Sequence, residues 1–126
     1  MNYNWDNFGK FAEYIEKIPD NEIDEETRVR NIISRMCYHA FHCLEIWAIE
    51  KAGYKCNMNS STHQSLINCL RRTKIRDRAN DYTQLKAIRV ACDYKHESLD
   101  VKNQLQDAKF YYKNIVNMLS GYSQLK

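Results

Sequence analysis

Two side chains that could share a reaction lie seven positions apart, Arg89 and His96. Seven residues of continuous helix advance about 700°, so the two would differ by about 20° in azimuth and by about 10.5 Å along the axis. On such a helix they share one face. Asp93 lies between them, four residues after Arg89 and three before His96, and at these spacings a carboxylate can orient either group. Arg89, His96 and Asp93 are therefore the candidate catalytic residues.

A permanent cation beside a titratable base suits the cleavage of RNA. The 2′-OH of RNA can attack the adjacent phosphate if a base removes its proton and a cation stabilises the charge that develops on phosphorus, so no metal is required. General base catalysis contributes about 10²–10⁴-fold, and one stabilising donor about 10²–10³-fold. The competing interpretation is a surface arginine and histidine that lie together by chance. Both side chains are expected at the surface, so replacing either with alanine should change stability by no more than about 0.5 kcal/mol.

The positive charge is concentrated in one part of the chain. Residues 51 to 96 hold ten bases and three acids, although the net charge is only +3. A segment of this polarity attracts phosphate chains, but it could also be an ordinary solvated helix end. The predicted RNA-binding residues are Arg71, Arg72, Lys74, Arg76, Arg78 and Lys95.

Helices must position these residues, because the chain has only three Gly and one Pro and its apolar residues recur at helical spacing. We expect an all-α fold, an up-and-down bundle of four to five helices that forms a single domain over residues 1–126. Residues 71–78 are read as a helix end followed by a solvated connection. The predicted helices are Asn4 to Ile18; Glu25 to Ala52, with Gly53 after it; one capped by Ser60, Ser61 or Thr62; one capped by Asn80 or Asp81; and one from Ser98 or Asp100 to Gly121.

Several classes of function lack their sequence signals. Five cysteines without a C-x-x-C argue against a disulfide framework or a zinc ribbon. No apolar run reaches the ~18 residues of a membrane span, and no signal peptide is evident, so we expect a cytoplasmic protein. His39, His42 and Cys43 have a spacing that could place metal ligands on one face, but aromatic and polar helix contacts are the favoured reading. No metal and no cofactor are predicted.

A set of short patterns, in order along the chain, resembles the HEPN superfamily over about residues 28 to 119. The central segment has the form R-x-x-Y-x-A-F-H, and the later patterns follow it in the same sequence as in that superfamily. They are Ser34-Arg35-Met36-Cys37-Tyr38-His39-Ala40-Phe41-His42, Gly53, Thr62-His63, and Leu85-x-x-x-Arg89-x-x-x-Asp93-Tyr94.

The resemblance implies a function for Arg89 and His96. HEPN ribonucleases carry an Arg followed by His after four to six residues, and here six intervene. By resemblance, Arg89 would stabilise the phosphorane, His96 would act as base or acid, and a homodimer would form a composite active site. The chain would then be a metal-independent endoribonuclease of a toxin–antitoxin or defence system, with an antitoxin as possible partner.

Val90 departs from the commoner toxin form, which has a polar residue directly after the Arg. Many HEPN domains are catalytically inactive and bind a partner protein such as a nucleotidyltransferase, or a nucleotide or nucleic acid. That alternative stays open, as does a helical interaction domain unrelated to HEPN.

Overall fold

The structure is a computed structural model that describes residues 3–55 and 62–120. Within these ranges it contains helices and no strand, which confirms the all-α prediction. None of the helices in the described ranges is long and apolar enough to cross a membrane. The helices are α1 (Asp6–Glu16), α2 (Glu25–Ala52), α3 (Thr62–Leu70), α4 (Arg76–Tyr94) and α5 (Val101–Met118).

The longest helix, α2, contacts all four others and lies at the centre of the bundle. Its start is fixed by Asp24, whose carboxylate accepts a hydrogen bond from the backbone N–H of Thr27 at 2.9 Å, as an N-cap residue does. Its end is fixed by Gly53, whose φ of 66° lies in the left-handed region. Both boundaries agree with the predicted range of Glu25 to Ala52.

Helix α1 runs antiparallel to α2. Asp6, in the first turn of α1, contacts His39, whereas the backbone carbonyl of Glu16 at its end faces Arg28, eleven residues earlier on α2. The buried side of α1 consists of Gly9, Ala12 and Ile15. Phe11, on the same helix, is 47% exposed.

Helix α4 starts earlier than predicted. The capping residues expected from the sequence, Asn80 and Asp81, both lie inside the helix, which begins at Arg76. The physical reason is burial: Ile75 and Ala79 are both buried and extend the apolar stripe of α4 by one turn. Residues 76–78 are therefore helical and do not belong to a solvated connection.

Helix α4 also ends before His96. Its last helical residue is Tyr94, and Lys95 is extended, with φ −78° and ψ 135°. The guanidinium of Arg30 donates to the backbone carbonyls of Cys92 at 2.7 Å, Lys95 at 3.0 Å and Glu97 at 3.0 Å. It thus binds carbonyls at and beyond the helix end, where intrahelical donors run out. The prediction that Arg89 and His96 share one continuous helical face was wrong.

The fifth helix begins where one of its two predicted caps lies. The side chain of Asp100 accepts from the backbone N–H of Asn103 at 3.3 Å, and the last helical residue is Met118. The predicted end at Gly121, and the predicted caps Ser60 and Ser61, lie outside the described residues.

Glycine is required at two positions for different reasons, at Gly9 for lack of space and at Gly53 for its backbone conformation. A Cβ at Gly9 would lie 2.7 Å from the Tyr112 hydroxyl and 2.9 Å from His39 Nδ1, whereas a Cβ at Gly53 meets nothing within 4 Å. We expect Gly9→Ala to lower the free energy of unfolding by about 1–3 kcal/mol through overpacking. Gly53→Ala should cost about 1 kcal/mol through its left-handed backbone. Urea unfolding measures both; a Gly9→Ala protein stabilised by the ordinary helix propensity of alanine would contradict the close contact.

Candidate functional site

Arg89 is buried, with 7% of its surface exposed, in the contact between α2 and α4. Its Nη1 forms an ion pair with Asp93 Oδ2 at 2.8 Å. Its guanidinium carbon lies 5.4 Å from the centre of the Tyr38 ring, within the range of a cation–π contact. The expectation that Arg89 is a surface residue was wrong, because one face of the guanidinium packs on an aromatic ring and one edge binds a carboxylate.

A chain of polar side chains extends from Arg89 through the interior. The thiol of Cys37 interacts with both Arg89 and the hydroxyl of Tyr82, and that hydroxyl makes a very short hydrogen bond with Nδ1 of His63. Burial raises the pKa of Cys37 to about 11 and also raises that of Tyr82. Both groups therefore stay protonated at neutral pH, and each can donate one hydrogen bond and accept another.

His63 is the last residue of this series of polar side chains. It lies in the first turn of α3 and is partly exposed. Burial, together with the positive charges of Lys86 and Arg89, lowers its pKa to about 4. Its imidazole is therefore neutral at physiological pH. Its ring also packs against Phe41, with ring centres 4.6 Å apart.

Sequence reasoning missed the connection from His63 to Arg89 through Tyr82 and Cys37. These residues lie on α3, α4 and α2, so no spacing within one helix could reveal it. The Thr62-His63 pattern was the one available signal, and it was interpreted as a helix start and as part of the HEPN resemblance.

His96 lies on the turn after α4 and is exposed, as is the neighbouring Lys95. Among the described residues no hydrogen bond or ion pair joins His96 to Arg89 or Asp93. The structure therefore brings two of the three candidate catalytic residues into direct contact and leaves the third on the surface. The position of this turn is set by Arg30, which Glu26 holds through an ion pair of 2.9 Å.

The predicted RNA-binding cations divide into two groups. Arg78 is engaged within the protein, because its Nε lies 3.0 Å from Asp81 Oδ2 and its Nη1 donates to the Asn114 carbonyl at 3.3 Å. The interpretation of Arg78 as a solvated phosphate contact is therefore corrected to an interhelical tie. The remaining cations on the α3–α4 corner are exposed: Arg71, Arg72, Lys74 and Arg76.

A cavity of about 650 Å³ opens at this corner. Its lining includes three cations, Lys51, Arg72 and Lys74, together with Trp47 and Cys69. Positive side chains around an opening of this size favour a ligand that carries phosphate or another anion. The basic corner thus has a concave centre, which sequence reasoning could not show because Trp47 and Lys51 come from α2.

Comparisons with family models, curated proteins and solved structures find no match to this chain. The resemblance to the HEPN superfamily therefore stays a prediction.

The environment of His63 makes stability depend on pH. An unfolded histidine binds a proton near pH 6.5, but folded His63 does so only near pH 4, so the unfolded state holds more protons in between. The stability contributed by neutral His63 is present above pH 6.5 and is lost as pH falls toward 4. Replacing His63 with Gln should flatten this part of the pH profile of unfolding free energy. His96→Gln is the matched control and should leave the slope as in the wild type; equal slopes in all three proteins would contradict the assignment.

Because Arg89 is buried, its replacement should lower the free energy of unfolding. Arg89→Ala removes the ion-pair partner of the Asp93 carboxylate, one of the two partners of the Cys37 thiol and the cation packed on Tyr38, so the free energy of unfolding should fall by about 1–3 kcal/mol. His96→Ala, on the exposed turn, should change it by less than about 0.5 kcal/mol. Chemical denaturation at pH 7 measures both, and an Arg89→Ala protein as stable as the His96→Ala protein would show that the ion pair contributes nothing.

Proposed function

We propose that this chain is a metal-independent endoribonuclease of the HEPN type, a toxin or defence effector that acts in the cytoplasm. The observation that carries the proposal is the turn after α4. Arg30 binds the Cys92 carbonyl in the last turn of α4 and the Lys95 and Glu97 carbonyls of the turn itself. The turn presents the exposed imidazole of His96 immediately beyond the helix that holds Arg89 and Asp93. A histidine on an exposed turn held in this way is available to take the proton of a 2′-OH.

A homodimer completes the site in this proposal. Within one chain, Arg89 is covered and His96 projects from the turn, so two copies of the turn are brought together across the dimer axis. The Arg89 guanidinium then reaches the phosphate past Asp93, whose side chain is 27% exposed. Asp93 holds the guanidinium in the free protein and orients it when RNA binds.

The basic corner supplies RNA binding in the same proposal. Arg72 and Lys74 line the 650 Å³ cavity, Arg71 and Arg76 are exposed next to them along the chain, and Lys95 lies beside His96. These cations contact phosphates of single-stranded RNA, whose flexible backbone can follow a concave surface.

One observation favours a second function, a catalytically inactive module that binds a partner protein such as a nucleotidyltransferase. The Arg89 charge is already satisfied by Asp93 and Tyr38, as expected of a structural cation. Val90, next to it, is 39% exposed and presents an apolar side chain where a partner could pack.

Cleavage in a chelator separates these functions. Purified wild-type protein should cut single-stranded RNA in EDTA, and His96→Ala should lower the rate by at least about 10²-fold while melting at the wild-type temperature. His63→Ala is the matched control, because its imidazole belongs to the interior chain, and it should retain cleavage. If the His96→Ala protein still cleaves RNA at the wild-type rate, the proposed site is wrong. No cleavage by the wild type, together with a stoichiometric co-purified protein, would establish the binding module.

The composite site across the dimer gives a separate prediction. A mixture of His96→Ala and Arg89→Lys subunits, each inactive alone, should regain part of the wild-type rate after exchange, because one site of the mixed dimer then has both native residues. A wild-type protein that cleaves as a monomer would contradict the dimer.

The salt dependence of RNA affinity tests the basic corner. The double variant Arg72→Ala/Lys74→Ala should bind more weakly, and each lost phosphate contact should reduce the slope of log K against log salt by about 0.7. Lys102→Ala, an exposed lysine on α5, is the control and should keep the wild-type slope. Identical slopes in the double variant would remove the corner from the RNA site.

A further inference from the structure

A second buried polar cluster lies on the other side of α2, away from Arg89. His39 uses both ring nitrogens: Nε2 is 2.8 Å from Asp6 Oδ1, and Nδ1 is 2.6 Å from the Tyr112 hydroxyl. The three residues come from α1, α2 and α5. Only His39 was noted in the sequence as a possible ligand; Asp6 and Tyr112 are separated from it by 33 and 73 positions.

Cys43 completes the cluster, one helical turn after His39. One ligand atom from each of Asp6, His39 and Cys43 lies within 4.8 Å of the other two, and His39 and Cys43 are both buried. His42, which the sequence offered as another ligand, is used elsewhere. Its ring stacks on Trp5, and its Nδ1 lies 3.1 Å from Glu45.

We propose that Asp6, His39 and Cys43 form a zinc site. The donors are one carboxylate oxygen, one imidazole nitrogen and one thiolate sulfur, a set that suits Zn²⁺ at about 2.0–2.3 Å per ligand. Tetrahedral ligands at these distances lie about 3.3–3.8 Å from each other. The 2.8 Å between Asp6 Oδ1 and His39 Nε2 would therefore have to widen on zinc binding, and any separation nearer 4.8 Å would have to shorten. The charges also balance, because a carboxylate and a thiolate together neutralise Zn²⁺, and a neutral complex costs little to bury.

Tyr112 and Gly9 hold the imidazole in the orientation that such a site needs. A metal-bound histidine is normally fixed by a hydrogen bond at its other ring nitrogen, and Tyr112 provides that bond at Nδ1. The approach is possible only because residue 9 has no Cβ, which would fall 2.9 Å from the same nitrogen. A glycine inside a helix is unfavourable by about 1 kcal/mol, and here it permits this contact.

The proton balance of binding follows from these contacts. Zn²⁺ takes the lone pair of His39 Nε2, so the imidazole proton resides on Nδ1 and is donated to the Tyr112 oxygen. Cys43 loses its thiol proton as the Zn–S bond forms. Binding therefore releases about one proton to the solvent per zinc ion, while the imidazole keeps its own.

A cavity of about 220 Å³ lies beside the cluster, between α1, α2 and α5, and is lined by Gly9, Tyr112, Glu13 and Met36, among others. Tyr112 contacts His39 at Nδ1, so this cavity adjoins the side of the imidazole opposite Nε2. With three protein ligands, the fourth position of the zinc would be taken by a water molecule.

Zinc binding is tested on the full chain after EDTA treatment and removal of the chelator. Titration with Zn²⁺ against a chromophoric chelator should give one site per chain, and calorimetry in buffers of different ionisation enthalpy should show about one proton released. Substitution with Co²⁺ should produce a thiolate-to-metal charge-transfer band and the visible bands of a tetrahedral ion. Absence of a stoichiometric site, or a cobalt spectrum without thiolate bands, would overturn the proposal.

Variants assign the ligands. Cys43→Ser and Asp6→Asn should each weaken zinc binding by at least 10²-fold, and Tyr112→Phe by about 10–100-fold through loss of the orienting bond. Cys92→Ser, a buried cysteine on α4, is the matched control and should bind zinc as the wild type does. Circular dichroism establishes that each variant is folded. If Cys43→Ser binds zinc unchanged, or if Cys92→Ser alone loses it, the cluster is not the site.

This inference is independent of RNA cleavage. The proposed ribonuclease reaction persists in EDTA, whereas zinc should raise the melting temperature of the wild type but not of Cys43→Ser. Failure to observe RNA cleavage would not affect the zinc proposal, and failure to observe zinc binding would not affect the ribonuclease proposal.

Discussion

Helix α2 contacts all four other helices, and this packing shields many of its side chains from water. A buried polar side chain on α2 is stabilised when it finds a partner on another segment, since an unsatisfied buried group costs about 1–3 kcal/mol. His39 is bound by α1 and α5, Cys37 by α4, and Arg30 by the end of α4 and its turn. These polar ties, added to the apolar core, fix which part of each helix lies against which part of α2.

This constraint explains which predictions succeeded. The bounds of α2 depend on local signals, the carboxylate of Asp24 and the left-handed backbone of Gly53, and the approximate range predicted from the sequence, Glu25 to Ala52, agrees with the observed helix. The start of α4 depends on the burial of Ile75 and Ala79 against the rest of the bundle, which no local pattern shows. Its end depends on Arg30, some sixty positions away along the chain, and that is why the helical geometry drawn from Arg89 to His96 failed.

The candidate sites divide in the same way. The contact of Arg89 with Asp93 is a four-residue spacing within one helix and was foreseen. The links that join three helices were not, because they depend on tertiary packing: His63 to Tyr82 to Cys37, and Asp6 to His39 to Tyr112. Sequence pattern identified several of the residue types on which chemistry could depend, but their partners became visible only in the assembled bundle.

Arg30 has a mechanical consequence for the α2–α4 pair. Because one planar guanidinium binds the carbonyls of residues 92, 95 and 97 at once, sliding α4 along α2 by even a fraction of a turn breaks all three bonds together. The contact therefore fixes the register of α4 on α2. A force applied to the turn that carries His96, by nucleic acid or by a second protein, is transmitted through these bonds to the first turns of α2 for as long as they hold.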